Sequence, residues 1–399
     1  MTQLQPTRWS DYRIHLSVPH MEGHELARLR KVLESGWVTT AGEELAALEK
    51  EFERMTRCAA VALANGTSAL HLAVKLVGVR DGAEVVVPTL TFAAAANAVV
   101  YENGRPVFLD SSPSDWGLDA NLLEGFLDRR ARENRLPKAV IVVHLFGQCA
   151  DLDPILEVCR KHEVPVIEDA AECLGATYKG KFAGALGDIG VYSFNGNKVI
   201  TGGGGGMLVS PQADWVAKAR FWSTQARDAD PEGLRNYVHS EVGYNYRMSN
   251  VLAAIVLAQL EVLEKRVQQR RTVAFRYRDG FADLPGITLM PQAPDRFHTN
   301  WLSCFLIDAT QFGMSAADLI RFLDSANVEA RPVWRPMHLQ KAYRQYEYVG
   351  GRVAEDLHRR GVCLPSSSCL TEEQQQFVIE RVREAHFQAK GRKDAVAEK

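Results

Sequence analysis

No stretch of this sequence holds the eighteen or so consecutive apolar residues that a membrane-spanning helix needs. The longest candidate, Val85 to Val100, is broken by Pro88, by three polar residues and by small alanines. The opening residues, Met1 to His15, are polar and carry no apolar core, so no secretory signal is read there. Cysteine is sparse and unpatterned. The seven are scattered, odd in number, without a CxxC pair and set among apolar neighbours, which supports neither a zinc site nor a disulfide framework. An excess of one charge is missing too: 47 Lys and Arg against 49 Asp and Glu leave −2. That balance gives no electrostatic reason to expect a nucleic-acid or anionic-membrane partner. No internal repeat is present. What remains is ordinary globular composition, 46% hydrophobic over 399 residues, room for two or three domains at roughly 150 residues each. A cytoplasmic, enzyme-sized protein without a structural metal is expected.

Helical periodicity opens the chain at Glu25–Ser35, with Leu26, Leu29 and Leu33 on one face, and again at Glu43–Met55. Short β-rich runs follow at Ala59–Leu63, Glu84–Val87, Pro106–Leu109, Ala139–Leu145 and Val164–Glu168, each separated by enough chain for a helix. Runs that are apolar throughout suit strands buried on both faces of a parallel sheet. The class expected is therefore α/β, with ligands at the carboxyl ends of the strands. One long helix is read from Asn250 to Arg271, ending in a solvated basic cluster, Gln268 to Arg271. A smaller α+β domain, 262–399, then follows a large domain, 1–261. The charged tail from Lys390 reads as disordered.

Three segments carry chemistry. Asn65-Gly66-Thr67-Ser68 lies between a strand and an apolar helix, where it is either a phosphate-binding turn or a simple helix cap. Glu168-Asp169 ends an apolar strand, and a carboxylate there needs a cationic partner unless it caps a helix. His144 ends the preceding strand, facing the crevice. Lys198 follows Ser193 in a polar loop bounded by Gly196 and by the five glycines Gly202–Gly206. A lysine so placed is either a solvated loop residue or a Schiff-base residue, since lysine shifts its pKa readily when desolvated.

Taken in order, NGTSAL (65–70), PTLTFAAAANAV (88–99), HLFGQ (144–148), EDAAECLGA (168–176), YSFNGNK (192–198) and GYNYRMSNVLAA (243–254) resemble the DegT/StrS-type nucleotide-sugar aminotransferases. The resemblance implies the aspartate-aminotransferase fold and pyridoxal 5'-phosphate as cofactor. It implies that Lys198 is the Schiff-base residue and proton shuttle, and that Asp169 keeps the pyridine nitrogen protonated so that the ring is an electron sink. Phe92 would stack on the ring, and Gly66, Thr67 and Ser193 would bind the phosphate. Glu172 stands where many relatives carry Gln and is counted with the cofactor-binding residues; Asn195 stands where many carry His. Asn245 would reach in from a partner subunit, implying a homodimer with shared active sites.

FNGNK, ARPVWRPMHLQKAY (330–343) and CLPSSS (363–368) resemble the subgroup acting on UDP-linked 4-keto-6-deoxy-N-acetylhexosamines, with L-glutamate as amino donor. The alternative is a GDP- or dTDP-linked keto sugar or a keto-cyclitol. His144, Arg331 and His338 are the candidate substrate contacts, and Arg227 and Arg331 the candidates for the donor carboxylate. Relatives that dehydrate carry His in place of the lysine. A lyase or desulfurase would need a mobile catalytic cysteine, for which Cys173 is the nearest candidate. A non-catalytic sensor would have lost the lysine or the acid.

Overall fold

A computed structural model describes residues 12–234 and 236–397. Helices α1 (Glu25–Ser35) and α2 (Glu43–Thr56) precede a strand–helix alternation. It runs through β1 (Ala59–Leu63), α3 (Gly66–Leu76), β2 (Glu84–Pro88), α4 (Ala93–Tyr101), β3 (Arg105–Leu109) and α5 (Ala120–Arg132), then β4 (Ala139–Val143), α6 (Leu152–Lys161) and β5 (Val166–Asp169). A small hairpin, β6 (Thr177–Tyr178) and β7 (Lys181–Phe182), leads to β8 (Ile189–Ser193), β9 (Gly206–Ser210) and α7 (Ala213–Ser223). Next come β10 (Arg227–Asp228), β11 (Val238–His239), α8 (Asn250–Leu260) and α9 (Leu263–Gly280).

The remainder comprises β12 (Ile287–Leu289), β13 (Arg296–Phe297), β14 (Ser303–Ile307), α10 (Ala309–Phe312) and α11 (Ala316–Ser325). It closes with β15 (Arg331–Pro332), β16 (Tyr348–Val349), α12 (Val353–Arg360), β17 (Gly361–Leu364) and α13 (Glu372–Ala397).

The main sheet has eight strands in the order β1-β9-β8-β5-β4-β2-β3-β16. Its pairings are parallel except where β9 lies between β1 and β8. Val85, Val86, Val87 and Val140, Ile141, Val142 are completely buried because helices cover both faces, which is why these strands read as unbroken apolar runs. A second core forms around the antiparallel sheet β12-β14-β17-β15, where Phe305, Val362 and Leu364 pack against Val273, Tyr277, Leu319, Val378 and Val382.

Several expectations need correction. The α1 face read as packed is turned outward: Leu26 and Leu33 are 72% and 65% exposed, and Glu25 and Val32 are the buried pair. The single helix expected over 250–271 is two. α8 buries Ala253, Ala254, Val256 and Leu257 in the large core, Val262 leaves helical geometry, and α9 redirects the chain toward the second core. The basic cluster is consequently mid-helix, and Arg270 is buried rather than solvated. The charged tail continues as helix to Ala397, because Val378, Val382, Ala385 and Ala389 keep helical spacing against the second core.

The two cores do not divide at one point of the chain. The boundary expected at 261/262 falls in the α8–α9 break, yet Ile14 lies in the second core and β16 joins the main sheet beside β3. Asp110 fixes that junction. Its buried carboxylate accepts N–H groups from Ser111 (2.8 Å), Gly351 (3.1 Å), Val353 (3.0 Å) and Ala354 (2.9 Å) at the start of α12. Asp110→Ala strands those donors in the core, and urea unfolding should show a loss of about 1–3 kcal/mol, the desolvation cost of unpaired buried groups.

Candidate active site

At the carboxyl ends of β1, β2, β4, β5 and β8 lies a cavity of about 270 Å³. Its wall takes Asn65, Gly66 and Thr67 from the start of α3, Thr91 and Phe92 from the start of α4, and Asp169 and Glu172 from the end of β5. Ser193, Asn195, Asn197 and Lys198 follow β8, and Trp301 and Trp334 come from the C-terminal half. The structure thus brings Gly66, Thr67, Phe92, Asp169, Glu172, Ser193 and Lys198 together although they are spread over 133 positions of sequence.

Asn65 caps α3 by accepting the Ser68 N–H at 2.8 Å, so the helix opens at Gly66, earlier than its apolar pattern suggested. The N–H groups of Gly66 and Thr67 belong to the first turn, which an α-helix leaves without internal partners. They stand at its positive end, beside the cavity. Gly66 is required by proximity rather than by backbone angle, since a Cβ there would sit 2.9 Å from Cβ of Ser193. Helix end and Ser193 hydroxyl form one cradle suited to a phosphate.

Asp169 is 6% exposed and accepts the Ala171 N–H at 3.1 Å. Burial pushes its carboxyl above the ordinary range, while Ala171 N–H, Lys198 and His144 pull it back. Glu172 is raised for the same reason; its Oε2 accepts the Phe146 N–H (3.0 Å) and its Oε1 the Trp334 indole N–H (3.2 Å). Burial lowers the Lys198 amine, and the two carboxyls oppose that shift. Its Nζ lies 4.2 Å from the centroid of the Trp301 ring. Phe92 is 59% exposed at the mouth, tilted against Trp334 with 6.0 Å between centroids.

Four expected site residues, His144, Arg331, His338 and Arg227, lie outside this cavity, and Asn245, expected to serve a partner's cavity, lies outside its own. His144 is fully buried, not at the crevice: its Nδ1 accepts the Ala150 N–H (3.1 Å), so Nε2 carries the hydrogen and donates to Glu168 Oε2 (2.8 Å). Burial pushes Glu168 up, but His144 and the Gly184 and Gly187 N–H groups bring it below the usual range. Arg331 is exposed on β15 and pairs with Glu329 at 2.6 Å. His338 is bonded to Thr89 Oγ1 (2.6 Å) and stacked on Tyr348 (3.8 Å), holding the 330s segment to β2. Asn245 is exposed, bridges to Thr224, and is not part of its own chain's cavity; the cap of α8 is Ser249. Arg227, the other donor-carboxylate candidate, is exposed over Tyr237.

Trp301 and Trp334 went unassigned in the sequence. Each has the look of ordinary core, and only the 330–343 stretch offered a signal for Trp334.

The sequence profile of the DegT/DnrJ/EryC1/StrS aminotransferase family matches residues 19–383. A putative pyridoxal phosphate-dependent aminotransferase, EpsN, of Bacillus subtilis is 44% identical over 92% of this chain and 94% of its own. GDP-perosamine synthase of Caulobacter vibrioides is 38% identical, covering 90% of this chain and 95% of its own. Among solved structures, the aminotransferase TlmJ from Streptoalloteichus hindustanus superposes with a TM-score of 0.84 at 29% identity, over 93% of this chain and 98% of that one. The chain belongs to the DegT/DnrJ/EryC1/StrS aminotransferase family. It is a pyridoxal-phosphate-dependent sugar aminotransferase.

The cavity fits that cofactor on its own chemistry: an anion cradle at one side, an aromatic ring at the mouth, a buried acid and a buried amine within. A raised carboxyl favours its neutral form, so the ionised form of Asp169 destabilises the cofactor-free fold. That effect grows as pH rises from the ordinary carboxylate value to the elevated folded one, then levels off. Asp169→Asn should therefore unfold at higher urea than the wild type at neutral pH without cofactor, and its stability should lack that decline. Turnover in the same variant should fall by orders of magnitude.

Proposed function

We propose that the enzyme transfers the amino group of L-glutamate to C4 of a 4-keto-6-deoxy sugar carried on a nucleoside diphosphate. The observation that carries this reading is the enclosure of Lys198 with Asp169 beside a helix-end anion cradle. Pyridoxal phosphate bound there supplies an electron sink for the carbon that gains or loses its proton. Gly66 and Thr67 N–H and Ser193 Oγ would hold its phosphate, Phe92 would cover the ring, and the Asp169 carboxylate would pair with the ring nitrogen. Lys198 Nζ, lowered by burial against the pull of Asp169 and Glu172, would hold the cofactor and take up and return a proton. Glu172, with both oxygens engaged, shapes the wall rather than moving protons. Cys173 is buried and its thiol is pushed well above the usual value, which does not suit a mobile nucleophile.

The UDP-linked N-acetylhexosamine reading rests on FNGNK and on the 330–343 and 363–368 stretches. A GDP-linked sugar is the second reading, favoured by the GDP-perosamine synthases among the relatives. We further infer a homodimer acting in the cytoplasm, where the seven free thiols persist. Support for the dimer is the exposed apolar stripe of Leu26, Leu33, Trp37 and Val38, together with an Asn245 that its own cavity does not use. No helix among the described residues is long and apolar enough to cross a membrane.

Borohydride reduction and peptide mapping should place the cofactor mass on the peptide bearing Lys198, and Lys198→Ala should abolish turnover. A label on another lysine would overturn the assignment. Mass spectrometry of glutamate reactions with UDP-, GDP- and dTDP-linked keto sugars identifies the nucleotide. For the dimer, inactive Lys198→Ala and Asn245→Asp chains are mixed under conditions of subunit exchange. Shared sites should return roughly a quarter of wild-type activity, from one intact site in each mixed dimer. Exchange without recovery assigns Asn245 to its own chain's site.

A further inference from the structure

Lys198 lies in the loop between β8 and β9, and loops are mobile unless their backbone groups are tied. Its own N–H bonds Asn195 O at 3.1 Å, which makes a local turn and anchors nothing. The anchors come from elsewhere. Asn197 O accepts the Trp301 indole N–H at 2.7 Å and the Ser17 hydroxyl at 3.0 Å. Lys198 O accepts a 3.4 Å bond from Arg270, whose guanidinium also donates to Trp301 O (2.7 Å) and Ser366 O (2.9 Å). Arg270 is 1% exposed and burial lowers it to about 10, so its charge is spent on backbone carbonyls.

The same indole that clamps the loop presents its face to the amine, with Nζ 4.2 Å from the ring centroid. An ammonium over an indole face is stabilised by the ring quadrupole, most strongly when water is excluded. The groups whose charges act on this nitrogen are Asp169 at the end of β5 and Glu172 and Cys173 in the following turn. Trp301 closes another side with a ring that bears no charge and does not titrate.

We propose that Trp301 is the positioning residue for Lys198: its N–H fixes the loop that carries the lysine, and its face stabilises the protonated Nζ. This deepens the proposed function and rests on Lys198 being the cofactor-bearing residue. The two actions separate by substitution. Trp301→Phe keeps an aromatic face and loses the N–H; Trp301→Leu loses both.

The test uses the full-length holoenzyme. Its first readout is the pH midpoint at which the visible absorption of the lysine-bound cofactor changes, which reports protonation at Nζ. The second is amide hydrogen exchange across residues 195–201. Trp301→Phe should hold the midpoint and speed exchange. Trp301→Leu should speed exchange and lower the midpoint by about 1.5 units, the size of an enclosed cation–π contact. A purely structural tryptophan would alter exchange alone, so an unmoved midpoint in Trp301→Leu overturns the proposal, as does unchanged exchange in both variants. A visible band that survives in Lys198→Ala would instead overturn the assignment of Lys198 itself.

Discussion

Three buried ionisable side chains share one small cavity, and the rest of the molecule is arranged to make that tolerable. Asp169, Glu172 and Lys198 are each pushed by burial toward their uncharged forms; Lys198 opposes the shift of both carboxyls and they oppose its own, while Asp169 adds to the rise of Glu172. A site of this kind is unstable if its walls give way, because water entering would restore ordinary protonation. Rigidity is therefore supplied from several directions. β5 and β8 pair in parallel, placing Asp169 level with Val191 and two residues short of Ser193. The buried His144–Glu168 pair, with the Gly184, Leu186 and Gly187 N–H groups on the same carboxylate, locks the residue next to Asp169 without entering the cavity.

That pair shows why sequence reading went astray at some positions. Adjacent residues on a strand point to opposite faces, so Glu168 and Asp169 have unlike fates although both are acids at one strand end. Their neighbour His144 follows Glu168 and not the cavity. The residues that sequence located well, Gly66, Thr67, Asp169, Ser193 and Lys198, lie at strand-to-helix turns or glycine-rich loops whose composition departs from core. Trp301, Trp334 and Arg270 have no such local signature. A lone tryptophan before an apolar strand looks like packing, and an arginine in QQRR looks like solvent-facing helix until α9 is seen to run behind the lysine loop.

The same logic covers the elements. Buried parallel strands were legible because apolar runs of five residues bounded by polar turns admit few alternatives. The direction of amphipathic faces was not. Leu26, Leu29 and Leu33 have helical spacing whether they face their own core or another surface, and periodicity alone does not say which. The α8–α9 break was equally hidden, because Glu261 and Val262 contain neither glycine nor proline.

The placement of β16 bears on how the chain assembles. The outer edge of β3 stays unpaired until synthesis has reached Val349, and the Asp110 carboxylate waits equally long for the N–H groups of 351–354. An unpaired parallel edge is a template for wrong strands. A nascent or truncated chain ending near residue 261 would carry Gly66, Thr67, Asp169, Ser193 and Lys198 yet leave that edge open. Such a fragment would be drawn toward aggregation, so the C-terminal third serves the sheet as an intramolecular guard before it serves the site.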